Sequence, residues 1–198
     1  MSMNNLPLII DDFIPKSQQE LIKNTLLGNT FQWHYTEDIT YGATAKLKRP
    51  AFFHQFIQNG SPLSPFYNLV ASIALLGAEK ANFNVVSVER GRTFLQIPLN
   101  TKLQTDIDPL HIDIPLEHLV VLYYVLDSDG DTIIVDKTLK APLQEEYNCE
   151  AKDYKILHKV TPKQGRCIIF DGRYYHTAEQ PKDNIRCIIN FDLMGTCK

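Results

Sequence analysis

His111 and Asp113 stand two apart in Asp108-Pro109-Leu110-His111-Ile112-Asp113, and His176 ends the stretch Phe170-Asp171-Gly172-Arg173-Tyr174-Tyr175-His176. Two imidazoles and one carboxylate form the ligand set of a facial triad. Such a triad holds Fe(II) and leaves half of its coordination sphere open for a bidentate co-substrate and dioxygen. In an extended segment, residues i and i+2 project to the same face, so His111 and Asp113 reach one point from one strand end. Alone, an H-x-D pattern in a chain with six histidines is close to a chance match. The bland alternative is an ordinary polar pair at a strand end. His176 adds weight because it lies 63 residues beyond Asp113, on a different strand after the turn at Asp171-Gly172. His34, His54, His118 and His158 have no such spacing and read as structural or surface residues.

Arg186 follows His176 by ten residues in the run Ile185-Arg186-Cys187-Ile188-Ile189-Asn190-Phe191-Asp192-Leu193. Strand alternation puts Ile185, Cys187, Ile189, Phe191 and Leu193 on one face, fit to pack under helices. Arg186, Ile188, Asn190 and Asp192 share the other face. A guanidinium carried into an enclosed space needs an acceptor, and its fork geometry suits a carboxylate held through two hydrogen bonds. The competing account is a structural ion pair with an internal Asp. Tyr123 and Tyr124 lie in the apolar run Leu119 to Leu126. A buried tyrosine hydroxyl usually finds a partner. One of the two can reach the carboxylate held by Arg186; the other is then core.

The elements that must position these groups are asymmetric along the chain. Leu6 to Ile14 reads as a short strand. Ser17 to Leu27 reads as a helix with Leu21, Ile22 and Leu26 as its buried stripe and Gly28 as its stop. Short strands are expected at 31–35 and 52–57. A longer helix is expected from Pro62 to about Ala81, with Phe66, Leu69, Val70, Ile73, Leu75 and Leu76 facing a sheet. From Asn84 the period changes to strands: one or two in 85–99, then 119–126, 132–136, 154–160, 167–170 and 185–193, separated by turn signals such as Asp127-Ser128-Asp129-Gly130. Many short strands with such turns predict a mainly β (α+β) sandwich, barrel or jelly roll, with the helices of residues 1–82 packed on one sheet and the β core in 83–198. Two loops, 36–50 and 137–153, are expected to flank the mouth. The cations Lys46, Lys48 and Arg49 read as a solvated loop, with a substrate-facing rim as the alternative.

The 198 residues fit one domain able to bury a sizeable core, with 44% hydrophobic and 22% charged residues. A net charge of −3 gives no electrostatic reason to expect a nucleic-acid partner. Four cysteines without a C-x-x-C pair fit a reducing, cytoplasmic setting. No secretory signal and no apolar run long enough to cross a membrane occur in the sequence.

The order His111-Ile112-Asp113, Leu122-Tyr123-Tyr124-Val125, Asp127 to Thr132, His176 and Arg186 resembles the 2-oxoglutarate/Fe(II)-dependent dioxygenases, within them the prolyl-4-hydroxylase-like branch. It is also similar to the short stand-alone oxygenases of bacteriophages that infect marine cyanobacteria. The resemblance covers most of the chain and is strongest over 108–193. It implies a double-stranded β-helix (jelly roll) and Fe(II) on His111, Asp113 and His176. It also implies 2-oxoglutarate with its distal carboxylate on Arg186 and Tyr123, a further polar contact at Asn190, and O2 as the oxidant with ascorbate in support. Collagen-type prolyl hydroxylases carry Lys where this chain has Arg186, so the sequence departs from that subgroup.

The resemblance makes a peptidyl prolyl residue the leading substrate and a small molecule or free amino acid the alternative. A nucleic-acid substrate fits less well, since basic excess is absent. A jelly roll that binds metal or ligand without turnover is the competing class.

Overall fold

The computed structural model describes residues 7–39, 48–99, 107–139 and 150–197. Its strands are β1 (Leu8–Ile10), β2 (His34–Thr36), β3 (Ala51–Gln58), β4 (Ser61–Pro62), β5 (Phe83–Gln96), β6 (Leu119–Tyr124), β7 (Thr132–Thr138), β8 (Ile156–Val160), β9 (Cys167–Asp171), β10 (Tyr174–Ala178) and β11 (Arg186–Cys197). Two helices, α1 (Lys16–Leu26) and α2 (Tyr67–Lys80), occur among the described residues. No described helix is long and apolar enough to cross a membrane.

All strand pairings are antiparallel and fall into two sheets. The larger runs β1-β9-β6-β11-β5-β3-β2, with β4 paired to β3; the smaller runs β10-β7-β8. Isolated bridges from Ile107 to Glu179 and from His111 to His176 lengthen the small sheet at β10. This is a jelly-roll-like arrangement, and the alternation of β11 shows how it is packed. Cys187, Ile189, Phe191 and Leu193 join Ile22, Leu26, Val70, Ile73 and Ala74 in one apolar cluster. On the opposite face, Ile188 joins Phe94, Leu122 and Tyr124 of the large sheet and Ile134 and Val160 of the small sheet. Each fully buried Ile or Leu there contributes roughly 1.5–3 kcal/mol. Gly77 of α2 lies so close to β6 that an added Cβ would sit 2.6 Å from the Val121 methyls. A side chain at 77 would push the helix off the sheet.

Several expectations shift in detail. Leu21 is exposed and Gln19 is buried in its place, donating to the Ile14 carbonyl at 2.9 Å. Ile22 and Leu26 are buried as expected, so only the Leu21 member of the stripe is displaced. Leu75 is exposed while Ala74, Gly77 and Ala78 are buried, because small residues permit the close approach of α2 to the sheet. Pro62 belongs to the short strand β4, and α2 begins five residues later at Tyr67. The stretch 85–99 forms a single strand that ends at Gln96. β10 is a further strand, beyond those expected from period and turn signals. The central parts of the two expected mouth loops, 40–47 with Gly42 and Lys46, and 140–149 with Pro142, Glu145, Glu146 and Cys149, lie outside the described residues.

Candidate metal centre

His111 and His176 are opposed across the antiparallel bridge, each backbone N–H donating to the other's carbonyl at 3.0 Å. Their ring centroids are 4.6 Å apart. Ile112 points away into a separate cluster behind the small sheet, with Leu110, Ile133 and Tyr175, which leaves His111 and Asp113 on the same side. One ligand atom each from His111, Asp113 and His176 lies within 4.8 Å of the others. His176 Nδ1 lies 3.2 Å from the Tyr174 carbonyl and His111 Nδ1 lies 3.4 Å from the Pro109 carbonyl. A carbonyl at Nδ1 favours a proton there and leaves each Nε2 as the ligand atom once a metal displaces the His176 Nε2 contact with Asp113. The donor set and its spacing fit a divalent first-row metal.

Asp113 is gripped before any metal arrives. Arg92 Nη2 donates to its Oδ1 at 2.8 Å and Arg90 Nη2 at 3.2 Å. Asn190 Nδ2 donates to its Oδ2 at 3.1 Å. Arg90 Nε in turn pairs with the fully buried Asp192 Oδ2 at 2.8 Å. Burial alone would raise the Asp113 carboxyl. The hydrogen bond from His176, then the charges of His176 and Arg92, outweigh burial and hold it well below the usual carboxylate range. Burial also pulls on His176, but its contact with Asp113 at 3.2 Å wins and its pKa is raised. His111 is pushed down to about 4, first by the protein packed around it and then by the His176 ring. Its exposed edge faces solvent, which softens the first cause.

The triad and Arg186 line one cavity of about 560 Å³. Arg186 is 4% exposed. Its Nε donates to the Gly130 carbonyl at 2.9 Å, Nη1 to Gln96 Oε1 at 2.8 Å and Nη2 to Thr132 Oγ1 at 2.9 Å. All three acceptors are neutral, and no carboxylate among the described residues pairs with it, which removes the structural ion pair as its explanation. Burial lowers its pKa. Gly130 is required here: a Cβ would stand 2.7 Å from the Glu179 carbonyl and 3.0 Å from Arg186 Cδ. Nearby, Asp108 pairs with Arg49 at 2.7 Å. Burial pushes the Asp108 carboxyl up to about 6, against the pull of Arg49.

The expected site residues divide as follows. His111, Asp113, His176, Arg186 and Asn190 all line the cavity. Tyr123 does not. Register aligns Tyr124 with Ile188 on the cavity side, and Tyr123 with Ile189 on the helix side. Tyr123 is packed in the helix-facing cluster, its hydroxyl buried without a hydrogen-bond partner. Tyr124 does not line the cavity either, but it lies on that side of β6, its hydroxyl donating to Thr132 Oγ1 at 2.8 Å beside Arg186. Burial pushes its pKa up to about 12, opposed by the Arg186 charge. Arg49 also departs from expectation: it is buried in an ion pair and is no part of a solvated loop. Sequence reasoning passed over Arg90, Arg92, Gln96 and Thr132. The alternation Arg90, Arg92, Phe94, Gln96 was a signal that these four share one face of β5, though not that the strand pairs with β11.

No protein-family model and no curated protein matches the chain in sequence. Solved structures match it in fold. The non-haem α-ketoglutarate-dependent epimerase SnoN of nogalamycin biosynthesis is 14% identical, with a TM-score of 0.65 over 96% of this chain and 78% of that one. A prolyl hydroxylase from Trichoplax adhaerens, solved with a hypoxia-inducible-factor degradation-domain peptide, is 15% identical, with a TM-score of 0.62 over 97% and 84%. The viral collagen prolyl hydroxylase of Paramecium bursaria Chlorella virus-1, solved with 2-oxoglutarate, is 12% identical, with a TM-score of 0.53 over 98% of each chain. The chain therefore has the fold shared by these three enzymes.

Proposed function

We propose that the protein is an Fe(II)- and 2-oxoglutarate-dependent dioxygenase that hydroxylates a C–H bond. The observation that carries this is one cavity holding a two-histidine, one-carboxylate cluster and a buried arginine that lacks an anion. When bound, iron, 2-oxoglutarate and O2 supply the oxidation: the substrate C–H becomes C–OH, and 2-oxoglutarate leaves as succinate and CO2. His111, Asp113 and His176 would hold the metal. Arg90, Arg92 and Asn190 fix the rotation of the Asp113 carboxylate. Arg186, with Thr132 and Tyr124 beside it, binds the distal carboxylate of the co-substrate and sets its register in the cavity. The apolar band of Phe94, Leu122 and Ile188 keeps water from the reacting centre. Ascorbate would keep the metal reduced. Buried free thiols at Cys167 and Cys187 suit a reducing cytoplasm, that of a bacterial host if the protein is phage-borne.

For the substrate, a peptidyl prolyl residue draws support from the sequence resemblance and from the likeness to two prolyl hydroxylases. The likeness to SnoN is as good, so fold does not choose between a peptide and a small molecule. The polar wall formed by Gln55, Gln58, Arg90 and Arg92 favours the small molecule. The test is succinate formation from 2-oxoglutarate with Fe(II) and ascorbate, and a +16 product by mass spectrometry after incubation with lysate. Iron-loaded, folded protein that forms no succinate would place the chain among ligand-binding jelly rolls.

A further inference from the structure

The cavity floor is built from rows that cross the large sheet. Register sets Gln55, Arg92 and Asn190 side by side, and Gln58, Arg90 and Asp192 in the next row. Arg186 and Gln96 form a row at the other end, and Phe53, Phe94 and Ile188 lie between. Two cationic ends thus flank an apolar band.

Charges in the loaded site pair off with one exception. Arg90 has Asp192 at 2.8 Å, and Arg49 has Asp108 at 2.7 Å. Arg186 takes the distal carboxylate of 2-oxoglutarate, on the function proposed above. Asp113 and one carboxylate of the co-substrate would neutralise Fe(II). That leaves Arg92. Its ion pair is with Asp113 at 2.8 Å, a carboxylate that it shares with Arg90 and that the metal would also claim. Its side chain is 13% exposed, and its Nε is buried without a hydrogen-bond partner. Its guanidinium carbon lies 5.0 Å above the Phe94 ring, which turns the group along the apolar band. A largely buried cation sharing its carboxylate with a dication would be unfavourable unless an anion joined it.

We infer that Arg92 and Gln55 form a second carboxylate-binding subsite, and that the substrate is a small molecule with one carboxylate and an apolar body. The body lies against Phe53, Phe94 and Ile39, which line the same cavity. A free amino acid has this chemistry; a residue inside a peptide has no carboxylate at that place. The inference rests on the proposed oxygenase function. The same subsite chemistry has one other source, the proximal carboxylate of 2-oxoglutarate itself, and the experiment separates the two.

Mn(II)-loaded protein, which does not turn over, is titrated calorimetrically with 2-oxoglutarate. The complex is then titrated with L-proline, L-leucine and L-phenylalanine, with their amides, and with a prolyl peptide blocked at its C-terminus. At least one free acid should bind at least tenfold more tightly than its amide and than the peptide. On metal-saturated protein, Arg92→Gln should weaken that acid at least tenfold and Gln55→Leu at least threefold, with the affinity for 2-oxoglutarate changed less than twofold in Gln55→Leu. Gln55 Nε2 donates to Gln58 Oε1 and not to Asp113, so its variant keeps the test sound where Arg92→Gln disturbs the metal. The subsite is overturned if no acid binds, if acid and amide bind alike, or if the blocked peptide binds best. It is also overturned if Gln55→Leu weakens 2-oxoglutarate as much as the acid, which assigns the subsite to the co-substrate. Failure of 2-oxoglutarate to bind in the first titration overturns the oxygenase function itself.

Discussion

At one end of the cavity Arg186 sits among neutral oxygens; at the other, Asp113 sits among cations. The first arrangement leaves a buried charge to be met from outside. Gly130, Gln96 and Thr132 occupy three of the guanidinium's N–H groups and fix its plane, but none supplies a negative charge. The second arrangement meets its charge from within. Arg90, Arg92, Asn190 and His176 hold Asp113 before a metal binds. An anion-binding end is therefore left incomplete, while a ligand carboxylate is oriented in advance. Both are forms of preorganisation, with the unmet charge placed where a ligand will bring its opposite.

Deleting the centre of the second arrangement should have the largest effect. Asp113→Ala removes a ligand and leaves two arginines facing each other. Metal affinity should fall by at least about 100-fold, beyond the range expected for an outer partner. Metal content by elemental analysis after dialysis measures it. Arg186→Ala should do the reverse: metal content unchanged, with 2-oxoglutarate affinity reduced about 10- to 100-fold, the range for a charge-assisted hydrogen-bonded pair. Equal loss of metal in both variants would mean that the two ends are not separate. Asn190→Leu comes next. It keeps the volume but takes one donor from Asp113 Oδ2, so metal affinity should drop about tenfold by calorimetry while 2-oxoglutarate affinity on metal-saturated protein holds.

The triad was legible because each of its parts obeys a local rule. His111 and Asp113 share a face by alternation, and Arg186 and Asn190 share one by the same rule. What joined them was not local. Arg90 and Arg92 meet Asp192 and Asn190 only through the β5–β11 register, about a hundred residues apart in sequence, which packing decides. Arg49 looked like a loop cation because its partner, Asp108, lies 59 residues on and is brought to it by the fold. The one misplaced member of the α1 stripe has a related cause. Leu21 is apolar, yet the buried place goes to Gln19, whose amide can bond the Ile14 carbonyl. Hydrophobic period sees only the burial of apolar surface, and a satisfied amide is buried as readily.

The paired tyrosines give the smallest effect and the finest test of how the two ends are assigned to faces. All six residues of β6 are buried, so period two carries no phase: either tyrosine can face the cavity. Register decides, setting Tyr124 beside Ile188 and Tyr123 beside Ile189. Tyr124→Phe removes the 2.8 Å bond to Thr132 Oγ1, the same oxygen that accepts from Arg186. It should cost about 0.5–1.5 kcal/mol, read as a several-fold weaker affinity for 2-oxoglutarate. Tyr123→Phe removes a hydroxyl that is buried without a partner. Burying such a group costs free energy, so the variant should melt at the same temperature or higher and bind 2-oxoglutarate unchanged. The opposite pattern, co-substrate affinity lost in Tyr123→Phe and kept in Tyr124→Phe, would mean that β6 is turned over. The apolar band between the two cationic ends would then be built from the wrong face of that strand.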